Sequence, residues 1–217
     1  MPNWCDNHVV LRGNPKILEV LVKLLTDLEG QNLLQLCKPM PPRLKLVHCG
    51  SRYVPADGSA VPDTLSQRPD WEKVSEWFCE DGKVWAGKEE LAQLRDEHGH
   101  ANWYDWRTVN WGTKWDVSFN LEVARNNSEI EFVALRFISA WAPPLPPLAI
   151  LAKRYSVDLR YDYFEPGMGF AGRLVIDENG EDLQEFDISS DFSTIPDNSF
   201  FLEAIDFLEE INSGGEE

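Results

Sequence analysis

The chain has 217 residues, 43% of them hydrophobic, with nine tryptophans and eleven phenylalanines. That is enough apolar material for one sizeable core, and it excludes global disorder. The formal net charge is -17 and is lopsided: residues 158–217 hold seventeen acidic and two basic side chains, a net of -15, and residues 1–157 hold twenty acidic and eighteen basic ones, a net of -2. Such a field repels phosphate backbones and attracts basic surfaces, so direct nucleic-acid binding by the C-terminal part is excluded.

Charge or proline breaks every apolar tract before the roughly 18 residues that a membrane span needs. The opening Met1-Pro2-Asn3-Trp4-Cys5-Asp6 has neither the basic flank nor the apolar run of a signal peptide, so a cytoplasmic protein with no membrane partner is expected. Four scattered cysteines, Cys5, Cys37, Cys49 and Cys79, then read as free thiols, mostly buried.

In chain order, residues 8–12 predict a strand closed by Gly13. Asn14 caps a helix with Pro15 in its first turn. Ile17, Val20, Leu21, Leu24, Leu25 and Leu28 give that helix an apolar stripe, and Gly30 ends it. From residue 38 to 70 six prolines interrupt regular structure. A short strand at Leu44, Leu46 and Val47 and a long loop over 50–67 are expected there. Trp71, Val74, Trp77 and Phe78 share a helical face. Residues 89–97 predict a second short helix, with Leu91 and Leu94 on one side, and Trp103, Trp106 and Val109 a third, ended near Gly112.

Strict alternation of Trp115, Val117, Phe119, Leu121 and Val123 with polar residues predicts a half-buried strand. After a turn at Asn126-Asn127, residues 129–139 form a strand apolar enough to be central. Residues 145–155 read as a helix, 157–164 and 170–176 as strands. Glu178-Asn179-Gly180 is a hairpin turn, with 183–188 pairing back. A last helix spans about 198–211.

Without residues 38–110, the order is strand, helix, strand, strand, helix, strand and an added hairpin. We therefore expect an α+β fold. Its antiparallel sheet is of the ferredoxin-like split βαβ type, with a large helical, Trp-rich insertion and an added C-terminal hairpin and helix. The expected organisation is one domain over 1–217, an insertion at 38–110 and an acidic C-terminal extension at 178–211. The insertion and last helix are expected on the sheet face opposite the first helix and the helix at 145–155.

Several segments carry a resemblance. Pro2-Asn3-Trp4-Cys5-Asp6-Asn7, Cys37-Lys38-Pro39-Met40-Pro41, Asn110-Trp111-Gly112-Thr113-Lys114-Trp115-Asp116, and Glu165-Pro166-Gly167 with Phe170-Ala171-Gly172 together resemble the Api92-like and YubB-like proteins of phages and plasmids. The resemblance implies a ferredoxin-like domain, which agrees with the element order. It implies no established activity, and places the protein in the host cytoplasm if it is phage-encoded.

Catalytic chemistry finds little footing, and no cofactor or catalytic residue is assigned. Glu97, His98 and His100, with Cys79 upstream, lack the spacing of a zinc site, and Gly99 reads as a helix terminus; no metal is expected. Cys5 and His8 are close in sequence, yet no nucleophile elbow or ordered triad appears. One pocket is a candidate: Trp111, Lys114 and Asp116, with Glu165, where lysine beside tryptophan could hold an anion or stack a base. In that reading Trp115 begins the buried strand face and Lys114 and Asp116 point the other way. The alternative reading of the same segment is a lock between insertion and sheet.

The acidic surface is the stronger candidate. Glu181, Asp182, Glu185, Asp187 and Asp191 lie on the hairpin and its exit, and Asp197, Glu203, Asp206, Glu209 and Glu210 on or before the last helix. If these carboxylates converge, they copy the charge density of a nucleic acid backbone. The leading expectation is a non-enzymatic accessory protein of a mobile genetic element. Its partner would be a basic, nucleic-acid-binding protein, such as a host or phage nucleic-acid-processing or defence enzyme. Two other readings stay open: a ligand-binding or enzymatic pocket at the tryptophan segment, and a structural or oligomeric role.

Overall fold

The computed structural model describes residues 3–45, 50–54, 72–76, 88–187 and 200–202. In chain order the elements are β1 (Trp4–Arg12), α1 (Pro15–Asp27), α2 (Leu33–Cys37), α3 (Pro42–Lys45), β2 (Gly50–Val54), β3 (Glu72–Glu76), α4 (Lys88–His98) and α5 (Trp103–Trp111). They continue with β4 (Phe119–Asn126), β5 (Glu129–Ala140), α6 (Leu145–Tyr155), β6 (Asp158–Glu165), β7 (Phe170–Asp177) and β8 (Gly180–Asp187). The chain divides into two compact units. One comprises Met1–Pro39 with Asn110–Glu217, the other Met40–Val109.

The first unit is a six-stranded sheet in the order β4-β5-β1-β6-β7-β8, antiparallel at every junction. Its β4-β5-β1-β6 core, with α1 after β1 and α6 after β5, is the ferredoxin-like split βαβ arrangement; β7 and β8 extend it past β6. Both helices lie on one face, α1 against β4 and β5, α6 against β6 and β7. The side chains facing them form the core: Val133, Leu135, Val9, Leu11, Leu159, Tyr161, Leu174 and Ile176 are all buried.

Asn14 caps α1 as expected, its Oδ1 accepting from the Lys16 amide at 2.9 Å. The buried stripe is Leu18, Leu21 and Leu25, whereas Val20 is 49% exposed. The 18-21-25 spacing selects the face turned to the sheet, and Val20 lies off it.

The opposite face is partly covered. Phe201, in the helical turn at 200–202, packs on Phe164 of β6 and Ala171 of β7, flanked by Phe186 and Phe200. Farther along this face β5 presents Ala134 and Ala140, both buried, and Ile138, which is exposed. β5, an interior strand, thus carries apolar side chains on both faces, with Arg136 among them on this one.

The second unit pairs β2 with β3 in a two-stranded antiparallel sheet. Four expectations are corrected here and at the edge of the sheet. Leu44 belongs to the helical turn α3, opened by Pro42, whose fixed φ suits a first turn. Gly50–Val54 is a strand rather than loop; Arg52-Tyr53-Val54 supplies the β-favouring residues. Val74 lies on strand β3, not a helix. The helical reading leaned on Trp71, Trp77 and Phe78, which lie outside the described residues. Finally, β4 begins at Phe119, because Trp115, Asp116 and Val117 are used for other contacts. Helices α4, with Leu91 and Leu94 buried, and α5 are found where expected, but on α5 Trp106 is buried and Val109 is 64% exposed, so Val109 lies off the buried face.

Candidate functional site

The segment from Asn110 to Asp116 consists of residues with local structural duties. Trp111 is fully buried and donates its indole N–H to the Lys38 carbonyl at 2.8 Å. Gly112 has φ +78°, and a Cβ there would stand 3.1 Å from the Pro143 carbonyl oxygen, so only glycine fits both angle and space. The Thr113 hydroxyl, also buried, donates to the Ala140 carbonyl at 2.9 Å.

Asp116 is a cap supplied from far along the chain. Asn32, before α2, is left-handed and makes no side-chain cap. The Asp116 carboxylate instead accepts from the Leu34 amide at 2.8 Å, the Gln35 amide at 3.0 Å and its neighbour Val117 at 2.9 Å, satisfying donors at the start of α2. Glu165, fully buried, serves a turn, accepting from the amides of Gly167 at 2.8 Å and Met168 at 2.6 Å. None of these four pocket candidates lines either of the two clefts described below. Trp115 also departs from expectation: it is 38% exposed, not the start of a buried face.

What Lys114 does instead was not legible in the sequence. Its Nζ lies 4.8 Å from the Trp115 ring centroid and 5.5 Å from that of Trp141, within cation–π range. Trp115 stacks on Trp141 at 5.9 Å and meets Trp4 at 6.2 Å. All three indoles are well exposed, Trp4 at 45% and Trp141 at 43%.

The predicted acids are split by the register. β8 is the sheet's outer strand, and Glu181, Leu183 and Glu185 share one face with Ile176, Leu174 and Gly172; Asp182, Gln184 and Phe186 share the other with Val175, Arg173 and Ala171. Glu181 pairs with Lys153 of α6 at 2.6 Å. Glu185 accepts from the Tyr163 hydroxyl at 3.3 Å, across Gly172, where any Cβ would collide with the Tyr163 ring. Burial, then the neighbouring Glu185, pushes the Tyr163 hydroxyl's pKa up. Asp182 accepts from Gln184 at 2.8 Å. Asp187 ends β8. Asp191, Asp197, Glu203, Asp206, Glu209 and Glu210 lie outside the described residues.

The interior holds a polar network that the sequence reading missed. Buried Asn7 donates its amide to the carbonyls of Cys5 at 2.7 Å and Phe137 at 3.3 Å and to the Ser139 hydroxyl at 3.0 Å; its oxygen accepts from the Tyr161 hydroxyl at 2.7 Å. Cys5 and Cys37 are free and buried. Burial pushes the Cys37 thiol up to about 12, and raises that of Cys5 still further, so both are protonated thiols without nucleophilic character. Buried Asp162 is held between Arg173, at 2.6 Å, and Arg160, at 2.9 Å. Among the described residues no three His, Cys, Asp or Glu side chains converge as metal ligands, and no helix is long and apolar enough to cross a membrane.

Two clefts open on the sheet face away from α1 and α6. The larger, about 520 Å³, is lined by Asp6, Ser118, Asn120, Arg136, Ile138 and Phe164, with Phe200 beside them. The second, about 440 Å³, lies round His8, Arg12, Glu122, Phe132 and Arg160. Burial lowers the His8 imidazole's pKa, and the nearby Arg136 adds to this. Burial also raises the Asp6 carboxyl.

Comparison with known proteins adds the following. A crystal structure of a protein api92 from Yersinia pseudotuberculosis is similar at 15% identity and a TM-score of 0.44, covering 86% of this chain and 98% of that one. No curated protein matches the sequence. Residues 110–212 match the family described as the ferredoxin-like domain in Api92-like protein. The matched residues take in the Trp111 anchor and strands β4–β8.

Proposed function

We propose that this protein is a non-catalytic accessory protein that binds a basic, nucleic-acid-handling partner through the acidic strand β8. The observation that supports this reading is the run from Asp177 to Asp187. It has six carboxylates and no basic residue; four of them, Glu181, Asp182, Glu185 and Asp187, lie on β8, the outer strand of the sheet. Glu181, Asp182 and Glu185 are exposed. Leu183 stands 46% exposed between Glu181 and Glu185 on one face, an apolar centre within a charged rim of the kind that protein interfaces use.

The partner would present arginines and lysines that otherwise hold DNA or RNA. The carboxylates steer it in and occupy its basic channel. A defence nuclease, restriction complex or nucleic-acid-processing enzyme of host or phage has that chemistry, and the protein's setting would be a mobile genetic element. The test is capture of heparin-binding host proteins on the immobilised full chain, with duplex DNA as competitor. Specific capture that is displaced by the duplex, and abolished in the Glu181→Gln, Asp182→Asn, Glu185→Gln triple variant, is expected. Capture indifferent to both would refute the reading.

A further inference from the structure

We infer that the larger cleft on the open sheet face, together with the Trp4, Trp115 and Trp141 patch beside it, is a binding site for a neutral oligosaccharide. The two features share one face and adjoin. Trp4 and Asp6 are two apart on β1 and so point the same way. In the register Trp4 pairs with Ala140 and Asp6 with Ile138, which makes Ile138 a diagonal neighbour of Trp4. Ser118 and Asn120, which also line the cleft, stand three and five residues beyond Trp115 in the chain.

The volume of about 520 Å³ suits a ligand of two or three rings. The exposed indoles add an apolar platform of roughly 300 Å², a size at which exposed patches are often functional.

Hydrogen-bond inventory selects the ligand class. The side chains of Asp6, Ser118 and Asn120 make no hydrogen bond among the described residues, and all three are exposed to the cleft. A carboxylate at Asp6 accepts, and Ser118 and Asn120 both donate and accept. A ligand must therefore offer donors and acceptors together, and Asp6 disfavours an anion. A polyhydroxylated ring does so, and its C–H face stacks on indole. A proline-rich chain would also dock on exposed tryptophans, but it carries almost no N–H to give Asp6. A nucleic acid meets a protein of net charge -17.

This site uses other residues than β8, so it stands apart from the partner reading above. The experiment is calorimetric titration of the full chain with chitohexaose, cellohexaose and maltohexaose, and separately with octaproline. Saturable binding of at least one hexaose is expected. It should weaken about tenfold or more in Asn120→Ala and again in Trp141→Ala, each titrated at matched folded concentration. No saturable binding of any hexaose, binding that both variants retain, or binding of octaproline instead would each overturn the assignment.

Discussion

The segment from Asn110 to Asp116 and the strand β8 are opposites. The first is rich in the residue types that build ligand sites: two tryptophans, a lysine and an aspartate within seven positions. Yet Trp111 is buried on a backbone carbonyl, Thr113 holds Ala140, and Asp116 caps α2. The second pairs with β7 and keeps Glu181, Asp182 and Glu185 on the surface, each with one side-chain contact, to Lys153, Gln184 and Tyr163. Residue type alone does not separate a cap from a contact. Burial and the identity of the hydrogen-bond partner do, because a buried polar group must be satisfied internally, whereas an exposed carboxylate in a solvent-screened pair can exchange that pair for a partner at little cost.

That contrast predicts a gradient of effects on stability. Trp111→Ala stands at the top. It empties the space of a fully buried indole and strips the Lys38 carbonyl of its donor, at a cost of about 3–5 kcal/mol by urea unfolding. Asn7→Ala follows at about 2 kcal/mol, because the Tyr161 hydroxyl and the Cys5 carbonyl lose their buried partner. In a double-mutant cycle, adding Tyr161→Phe should cost less than it does alone. Asp116→Ala removes a cap with two amide contacts to α2 and is expected to cost about 1–2 kcal/mol. A loss under about 0.5 kcal/mol would mean that the capping account of this segment is wrong, since that is the range of an ordinary surface change.

Smaller again is the contribution of His8. Burial and Arg136 hold its folded pKa below the ordinary 6.5. The unfolded chain then binds the proton more readily than the folded one. Stability is full above the unfolded pKa and is lost as pH falls from there through the folded value. Urea midpoints between pH 8 and pH 5 should drop less steeply in His8→Gln than in the parent. At the foot of the gradient, the β8 triple variant should shift stability by no more than about 0.5 kcal/mol.

The elements with strong periodicity were legible in the sequence. Helix α1 with its Asn14 cap, the apolar β5, helix α6, the turn at Asn179 and the order of the ferredoxin-like core all follow from local pattern. The failures have physical causes. The capping of α2 by Asp116 joins residues 82 apart in sequence, so no local motif announces it. The alternation that predicted a strand from Trp115 was real, but Trp115, Lys114 and Trp141 satisfy one another as a ring and cation stack before the strand begins. Val74 was drawn into a helical reading by neighbouring tryptophans, although Glu72-Lys73-Val74-Ser75-Glu76 has the polar alternation of a two-stranded edge. The acids of β8 were visible as a run, but their division between two faces depends on register, which only the pairing with β7 fixes.

The most direct test is to measure partner capture by Asp116→Asn and by the Glu181→Gln, Asp182→Asn, Glu185→Gln variant side by side, each at matched folded concentration. Capture by Asp116→Asn should equal that of the parent protein, and capture by the β8 variant should fall to background. Equal losses in both, or a loss confined to Asp116→Asn, would contradict the division between a structural segment and a recognition strand.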